Sequence, residues 1–214
     1  MKRHSTSRRT LVLMVKVPTA GRVKTRLVRG IGLGPATNFY RHSVASLVRR
    51  LTRPGRWTVR LAVSPDAARK TPALPGSLQA RIPQGRGDLG QRMQRAIDGA
   101  PPGPVIVIGT DVPGITEHDI AQAFHRLAGH DAVIGPSPDG GYWLIGLGRR
   151  RRRLRPFRKV PWSTSAAFAT TMRNLADSRV ALIDQKADID DAADWSRAGP
   201  ARSRRIVAPH TPTQ

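Results

Sequence analysis

The chain has 214 residues, 37 of them Lys or Arg and 14 Asp or Glu, for a formal charge of +23, and no cysteine. The length suits one domain with a sizeable core. Without cysteine there are no disulfides, thiolate metal sites or cysteine nucleophiles, and no apolar run reaches the roughly 18 residues of a membrane span.

In chain order, Leu11–Val15 reads as a short buried strand, closed by Lys16 and Pro18. It is short for a signal core and lacks a small-residue cleavage site, so a cytoplasmic protein is expected. A polar turn follows. Pro35–Leu51 places Phe39, Val44, Leu47, Val48 and Leu51 at helical steps before a Pro-Gly stop. Trp57–Val63 alternates as a strand does, and 64–87, rich in Pro, Gly and Ala, reads as a loop. Asp88 caps a helix reaching about Ala100. Val105–Ile108 is an all-apolar strand, and Thr116 opens a helix with Ile120, Ala123, Phe124 and Leu127 on one face. Ala132–Ile134 and Tyr142–Leu147 are strands, Ser165–Leu175 a helix, Val180–Ile183 a last strand and Asp190–Arg197 a short last helix. Thus 1–197 reads as one domain, and 198–214 as a basic, flexible tail. Alternating strands and helices imply an α/β sandwich with a mostly parallel sheet, whose ligands sit beyond the carboxyl ends of the strands.

The charge is uneven. Residues 1–107 are net +18 and 108–214 net +5, so the carboxylates gather in the second half. Such a split suits a site that holds a polyanion together with a divalent cation. Nucleic acid is the competing partner, but ten aromatics, no RNP-like run and no C2H2 spacing give it little support. The run Arg149–Arg153 and the basic tail read as compositional bias.

Four segments bear chemistry. Lys16, Arg22, Lys24 and Arg26 put four cations in eleven residues behind the first strand. Lys24, Thr25 and Arg26 would offer side-chain donors to a phosphate chain, with backbone N–H groups near Gly21. A solvated basic loop is the plainer alternative, and a P-loop is excluded by the missing G-x-x-x-x-G-K-[ST]. In Gly109-Thr110-Asp111-Val112-Pro113-Gly114 an acid ends an apolar strand. Burying it unpaired is costly, and Mg²⁺ or Mn²⁺ would relieve it; a turn or cap role is the alternative. In Asp139-Gly140-Gly141-Tyr142-Trp143 the glycines allow close backbone approach and the aromatics would flank a base or sugar, unless the segment is only a tight turn. Asp188, Asp190, Asp191 and Asp194 place four carboxylates in seven residues; one is expected to cap the last helix and one to face the site.

Five blocks then resemble a known family: Gly21-Arg22-Val23-Lys24-Thr25-Arg26-Leu27 after Pro18; Gly87-Asp88-Leu89-Gly90-Gln91-Arg92-Met93; Gly109 to Gly114; Asp139 to Gly146; and Trp162-Ser163-Thr164 with Asp188-Ile189-Asp190. The chain resembles an uncharacterised bacterial family of GT-A-type, glycosyltransferase-like proteins found beside radical-SAM/selenodomain proteins and related to MobA-like and 2-phospho-lactate guanylyltransferase nucleotidyltransferases. The resemblance implies the GT-A nucleotide-diphosphosugar transferase fold, a three-layer α/β sandwich. It implies Asp111 as a divalent-metal ligand, with Asp190 or Asp188 as the second. Lys24 and Arg26 would contact nucleotide phosphates, and Asp88 to Arg92 would lie near the base or acceptor. Two departures stand out: the glycine-rich loop after the first strand is reduced to Gly21, and Asp191 replaces the customary Thr of the last block.

The expected activity is Mg²⁺-dependent nucleotidyl transfer, in which a phosphorylated acceptor attacks an NTP and pyrophosphate leaves. There the metal on Asp111 and Asp190 clamps the phosphates while Lys24 and Arg26 stabilise developing charge. The alternative is glycosyl transfer from a nucleotide sugar, with Asp139 orienting or deprotonating the acceptor hydroxyl. Non-enzymatic nucleic-acid binding is more distant.

Overall fold

The computed structural model describes residues 9–77, 80–149 and 154–197. The expected tail at 198–214 and Arg150–Arg153 of the arginine run lie outside them.

The chain begins with β1 (Thr10–Lys16), followed by α1 (Thr25–Ile31) and α2 (Leu33–Leu51). Next come β2 (Thr58–Ser64), a 3-10 turn at Asp66–Lys70, β3 (Arg81–Pro83), α3 (Leu89–Asp98) and β4 (Val105–Ile108). The remainder is α4 (Glu117–Arg126), β5 (Ala132–Pro136), β6 (Tyr142–Leu147), α5 (Ala167–Asn174), β7 (Val180–Leu182) and α6 (Ala192–Arg197). Two elements were not foreseen. The short α1 has no side-chain cap and starts from a left-handed Lys24, so no cap signal marks it. β3 has only three residues, with Pro83 tolerated because the strand lies at the sheet edge.

The seven strands form one sheet in the order β3-β2-β1-β4-β6-β5-β7. β1 is parallel to both β2 and β4, β2 to β3 and β5 to β7. Only β6 is reversed, antiparallel to β4 and β5. The alternation of β1 feeds two cores. Leu11, Leu13 and Val15 pack toward α2 and α4 with Val44, Leu47, Ile120 and Phe124. Val12 and Met14 pack toward α3 and α5 with Met93, Ile97, Phe168 and Met172. The result is the expected three-layer sandwich. Capping boxes fix two helix starts: Asp88 with Gln91 on α3, and Thr116 with Asp119 on α4.

This topology decides where a site can form. The chain leaves β1 for β2 and β3 on one side, then returns to β1's other flank as β4. Connections therefore diverge between β1 and β4 and leave a crevice at their carboxyl ends. β6 runs backwards, so the Asp139–Gly141 turn preceding it reaches the same edge. A third, smaller apolar cluster closes the edge: Leu27 and Val28 of α1, Phe39 of α2, Trp195 of α6, and Ile189 from the segment before α6. Phe39 and Trp195 meet edge to face with centroids 4.8 Å apart. Among the described residues, no helix is long and apolar enough to cross a membrane.

Candidate functional site

A cleft of about 540 Å³ opens at this carboxyl edge. Arg26, Asp111, Asp139, Asp188 and Asp190 line it, with Tyr142 and Trp162 and with Ser163 to Ser165.

Lys24 lies behind the cleft lining and organises its acidic group. Its side chain is only 3% exposed, yet its Nζ lies 3.1 Å from Asp111 Oδ1 and 3.5 Å from Asp190 Oδ1. Arg26 reaches the other Asp190 oxygen at 3.2 Å. The two aspartates come from segments far apart in sequence and are tied through the backbone, Ile189 N–H donating to Asp111 O. Asp191 and Asp194 serve the helix instead: each accepts the other's backbone N–H at the start of α6, and Asp194 also accepts from Asp190 N–H. Two of the four acids thus cap the helix, and the other two, Asp188 and Asp190, line the cleft. Burial raises the Asp188 carboxyl above the ordinary range. The Lys24 ammonium pulls it down, and Asp190, Asp139 and Asp111 push it up. Four carboxylates thus share one field with one buried ammonium.

Tyr40 is a site-building residue that the sequence reading overlooked. Its hydroxyl accepts from Lys16 N–H at 3.0 Å and donates to Lys16 O at 3.1 Å, and lies 3.4 Å from Thr110 Oγ1. Burial pushes its pKa to about 12; the Thr110 hydrogen bond opposes the shift and Asp111 adds to it. The tyrosine stitches the ends of β1 and β4 together. Its position one helical turn before Val44 was the signal available. Thr110, expected among the nucleotide contacts, is buried here and donates to Met14 O.

Asp139 Oδ1 accepts from Gly141 N–H, so it makes a turn and lines the cleft at once. Gly140 has φ +81°, and a Cβ there would strike the Ser165 carbonyl. Tyr142 is largely buried, which raises its pKa, and it accepts from Thr171. Trp162 packs against Tyr142 and Phe157, as expected of a core residue, and also lines the cleft. Its Nε1 is buried and has no hydrogen-bond partner among the described residues.

Other expected contacts stand apart. Lys16, Gly21, Arg22 and Thr25 are exposed from the end of β1 to the start of α1 and, like Lys24, Thr110 and Gly140, are not among the residues lining the cleft. Asp88 is occupied by its capping box, and Arg92 donates to Gly87 O and Gln84 Oε1. Their neighbours Leu89 and Met93 line the cleft instead.

The expected trio Asp111, Asp188 and Asp190 is not a ready-made metal cage. Among the described residues, no three His, Cys, Asp or Glu side chains are grouped to hold an ion. The Lys24 ammonium stands between two of them. The donor set still fits Mg²⁺ or Mn²⁺, which is commonly held by one or two carboxylates together with substrate phosphates.

Residues 47–164 match the family described as "Uncharacterized protein conserved in bacteria (DUF2064)". The chain belongs to this family. No curated protein matches its sequence. Over 94% of the chain and 93% of its counterpart, the structure is similar to a candidate nucleotide-diphospho-sugar transferase from Desulfovibrio desulfuricans G20, with 28% identity and a TM-score of 0.83. It is also similar to a nucleotidyl transferase, Mth528, from Methanothermobacter thermautotroptrophicus, at 14% identity and a TM-score of 0.63 over 92% and 99% of the two chains. A third likeness is to Rv0371c from Mycobacterium tuberculosis H37Rv in complex with manganese, at 13% identity and a TM-score of 0.51 over 89% and 97%. The DUF2064 chain therefore has the nucleotide-diphospho-sugar transferase fold, and its full-length likeness to the Desulfovibrio protein classes it with the transferases of that fold.

Proposed function

We propose that this DUF2064 protein is a divalent-metal-assisted nucleotidyltransferase. The supporting observation is the group formed by Lys24 and Arg26 with Asp111 and Asp190, set at the divergence point between β1 and β4. Cations and carboxylates placed together there suit a phosphate chain and its counter-ion. Asp111 and Asp190 would hold Mg²⁺ or Mn²⁺, with Asp188 beside them. Bound there, the ion would act as a Lewis acid on the phosphates. The relatives named a nucleotidyl transferase and a manganese complex favour the same chemistry.

Lys24 and Arg26 bind the phosphate oxygens and stabilise the charge that collects on the departing pyrophosphate as the acceptor oxygen attacks the α-phosphorus. Tyr40 keeps the loop bearing Lys24 in register with Asp111. The wall of Tyr142, Trp162 and the 163–165 hydroxyls receives the acceptor. A second reading, glycosyl transfer, is favoured by the name of the Desulfovibrio relative and by Asp139 on the acceptor wall, where it would orient or deprotonate a hydroxyl.

The test is to incubate the protein with Mg²⁺ or Mn²⁺, each NTP and each common nucleotide sugar, following thermal shift and the released product. Stabilisation by an NTP with pyrophosphate release is expected. Stabilisation by a nucleotide sugar alone, with NDP release, would replace it by glycosyl transfer. Salt-sensitive RNA binding with neither would overturn both.

A further inference from the structure

The Lys24 ammonium is paired with the two carboxylates, Asp111 and Asp190, that would hold a divalent ion. Its Nζ is within 3.5 Å of an oxygen of each. The ammonium is nearly sealed from water, while the two carboxylates are 49% and 38% exposed. The placement is built, not incidental. Lys24 takes the left-handed conformation at φ 49°, ψ 42°, which L residues adopt at a cost. Asp190 is held from behind by the Asp191–Asp194 cap, and Ile189 N–H is bonded to Asp111 O. Arg26 also engages Asp190, but it is 76% exposed and free to turn outward.

Resting on the nucleotide reading above, we propose that Lys24 is the resident counter-ion of the divalent-metal position and controls access to it. The same carboxylate oxygens cannot serve a divalent ion and an ammonium this close without like-charge repulsion. Metal without nucleotide therefore has to push Lys24 off the two carboxylates it is paired with, leaving it only the more distant field of Asp188 and Asp139. A phosphate chain gives Lys24 a new partner, so nucleotide and metal bind cooperatively, each strengthening the other by the same factor. The proposal has an unusual sign. A lysine that only bound phosphate would leave metal-only affinity unchanged when removed. Lys24, as resident counter-ion, holds that affinity down.

The experiment is Mn²⁺ binding to the full chain by electron paramagnetic resonance, first with no nucleotide. Lys24→Met is expected to tighten Mn²⁺ by about tenfold or more, the scale on which a charge a few ångströms away biases a site. Lys24→Arg, which keeps a cation, is expected to stay near wild type, and Asp190→Asn to weaken binding. Circular dichroism checks folding. Unchanged or weaker Mn²⁺ binding by folded Lys24→Met would overturn the proposal. Should that variant not fold, the wild type decides. Its Mn²⁺ affinity must rise on adding a non-hydrolysable NTP analogue, corrected for Mn²⁺ on free nucleotide, and equal affinity overturns the proposal. If no nucleotide binds at all, the functional reading fails, while the nucleotide-free Lys24→Met measurement still decides the role of Lys24.

Discussion

Two segments at the carboxyl edge of the sheet resembled nucleotide contacts, and the structure uses them differently. In Gly87–Arg92 the polar groups are turned to nearby backbone: Asp88 and Gln91 cap α3, and Arg92 binds the Gly87 carbonyl and the Gln84 side chain. In Gly109–Gly114 the acid is paired across the molecule, Asp111 with Lys24, and is joined there by Asp190. Local pairing builds a helix start. Long-range pairing of opposite charges, partly open to solvent beside a cleft, builds a site. The contrast separates architecture from chemistry among residues of the same type.

Substitutions on each side should behave in opposite ways. The largest effect is expected for Asp111→Ala. Losing even an outer partner of a metal ligand typically costs 10–100-fold in affinity, so losing this carboxylate should weaken Mn²⁺-dependent nucleotide binding by about 100-fold or more. Calorimetry with Mn²⁺ reads this, and a lower melting temperature is expected beside it, because buried Lys24 keeps only Asp190 as an ion-pair partner. Undiminished binding would remove Asp111 from the site.

Gly30→Ala comes next. A Cβ on Gly30 would overlap the Ala192 Cβ, so α6 must lift from α1. Overpacking of this kind costs about 1–3 kcal/mol, read by denaturant unfolding. It should also weaken nucleotide binding, because α6 fixes Asp190. Unaltered nucleotide affinity would break the link between the α1–α6 contact and the site.

Asp88→Ala is the counterpart from the architectural segment. It should cost about 1 kcal/mol of stability, the usual value of an N-cap, and leave nucleotide affinity within about twofold, since no charge is lost from the phosphate-facing group. A large loss of affinity with little loss of stability would return Asp88 to the binding site.

The smallest effect concerns Asp188 in metal-free protein. Its folded pKa is raised above the unfolded value, so the folded state holds the proton more tightly. That contribution is fully present below the unfolded pKa and is lost as pH rises through the folded pKa. Asp188→Asn should therefore melt slightly higher than wild type at pH 7 in chelator, and the gain should vanish in acid. A lower melting temperature at pH 7 would contradict the strained carboxylate.

Much of this was legible from residues alone. The apolar strands, the Asp88 and Thr116 caps and the acid after β4 each have a local signature, and the order of strands and helices implied the sandwich. The unread parts depend on tertiary contact. α1 exists because Leu27, Val28 and Ile31 pack against α2 and α6, not because a cap announces it. Tyr40 looks like any apolar face residue until β1 and β4 are brought together. Lys24 and Arg26 read as phosphate contacts, but only the fold shows Lys24 buried between Asp111 and Asp190, with Arg26 the one of the four cations that lines the cleft.

The most direct test of a phosphate-and-metal site on Lys24, Asp111 and Asp190 is a crystal structure with a non-hydrolysable NTP analogue and Mn²⁺, located by anomalous scattering. The expected result is a manganese peak between Asp111 and Asp190, with Lys24 turned onto the phosphates. A peak elsewhere, or phosphates seated on Gly87–Arg92 with Lys24 still bound to its aspartates, would contradict it.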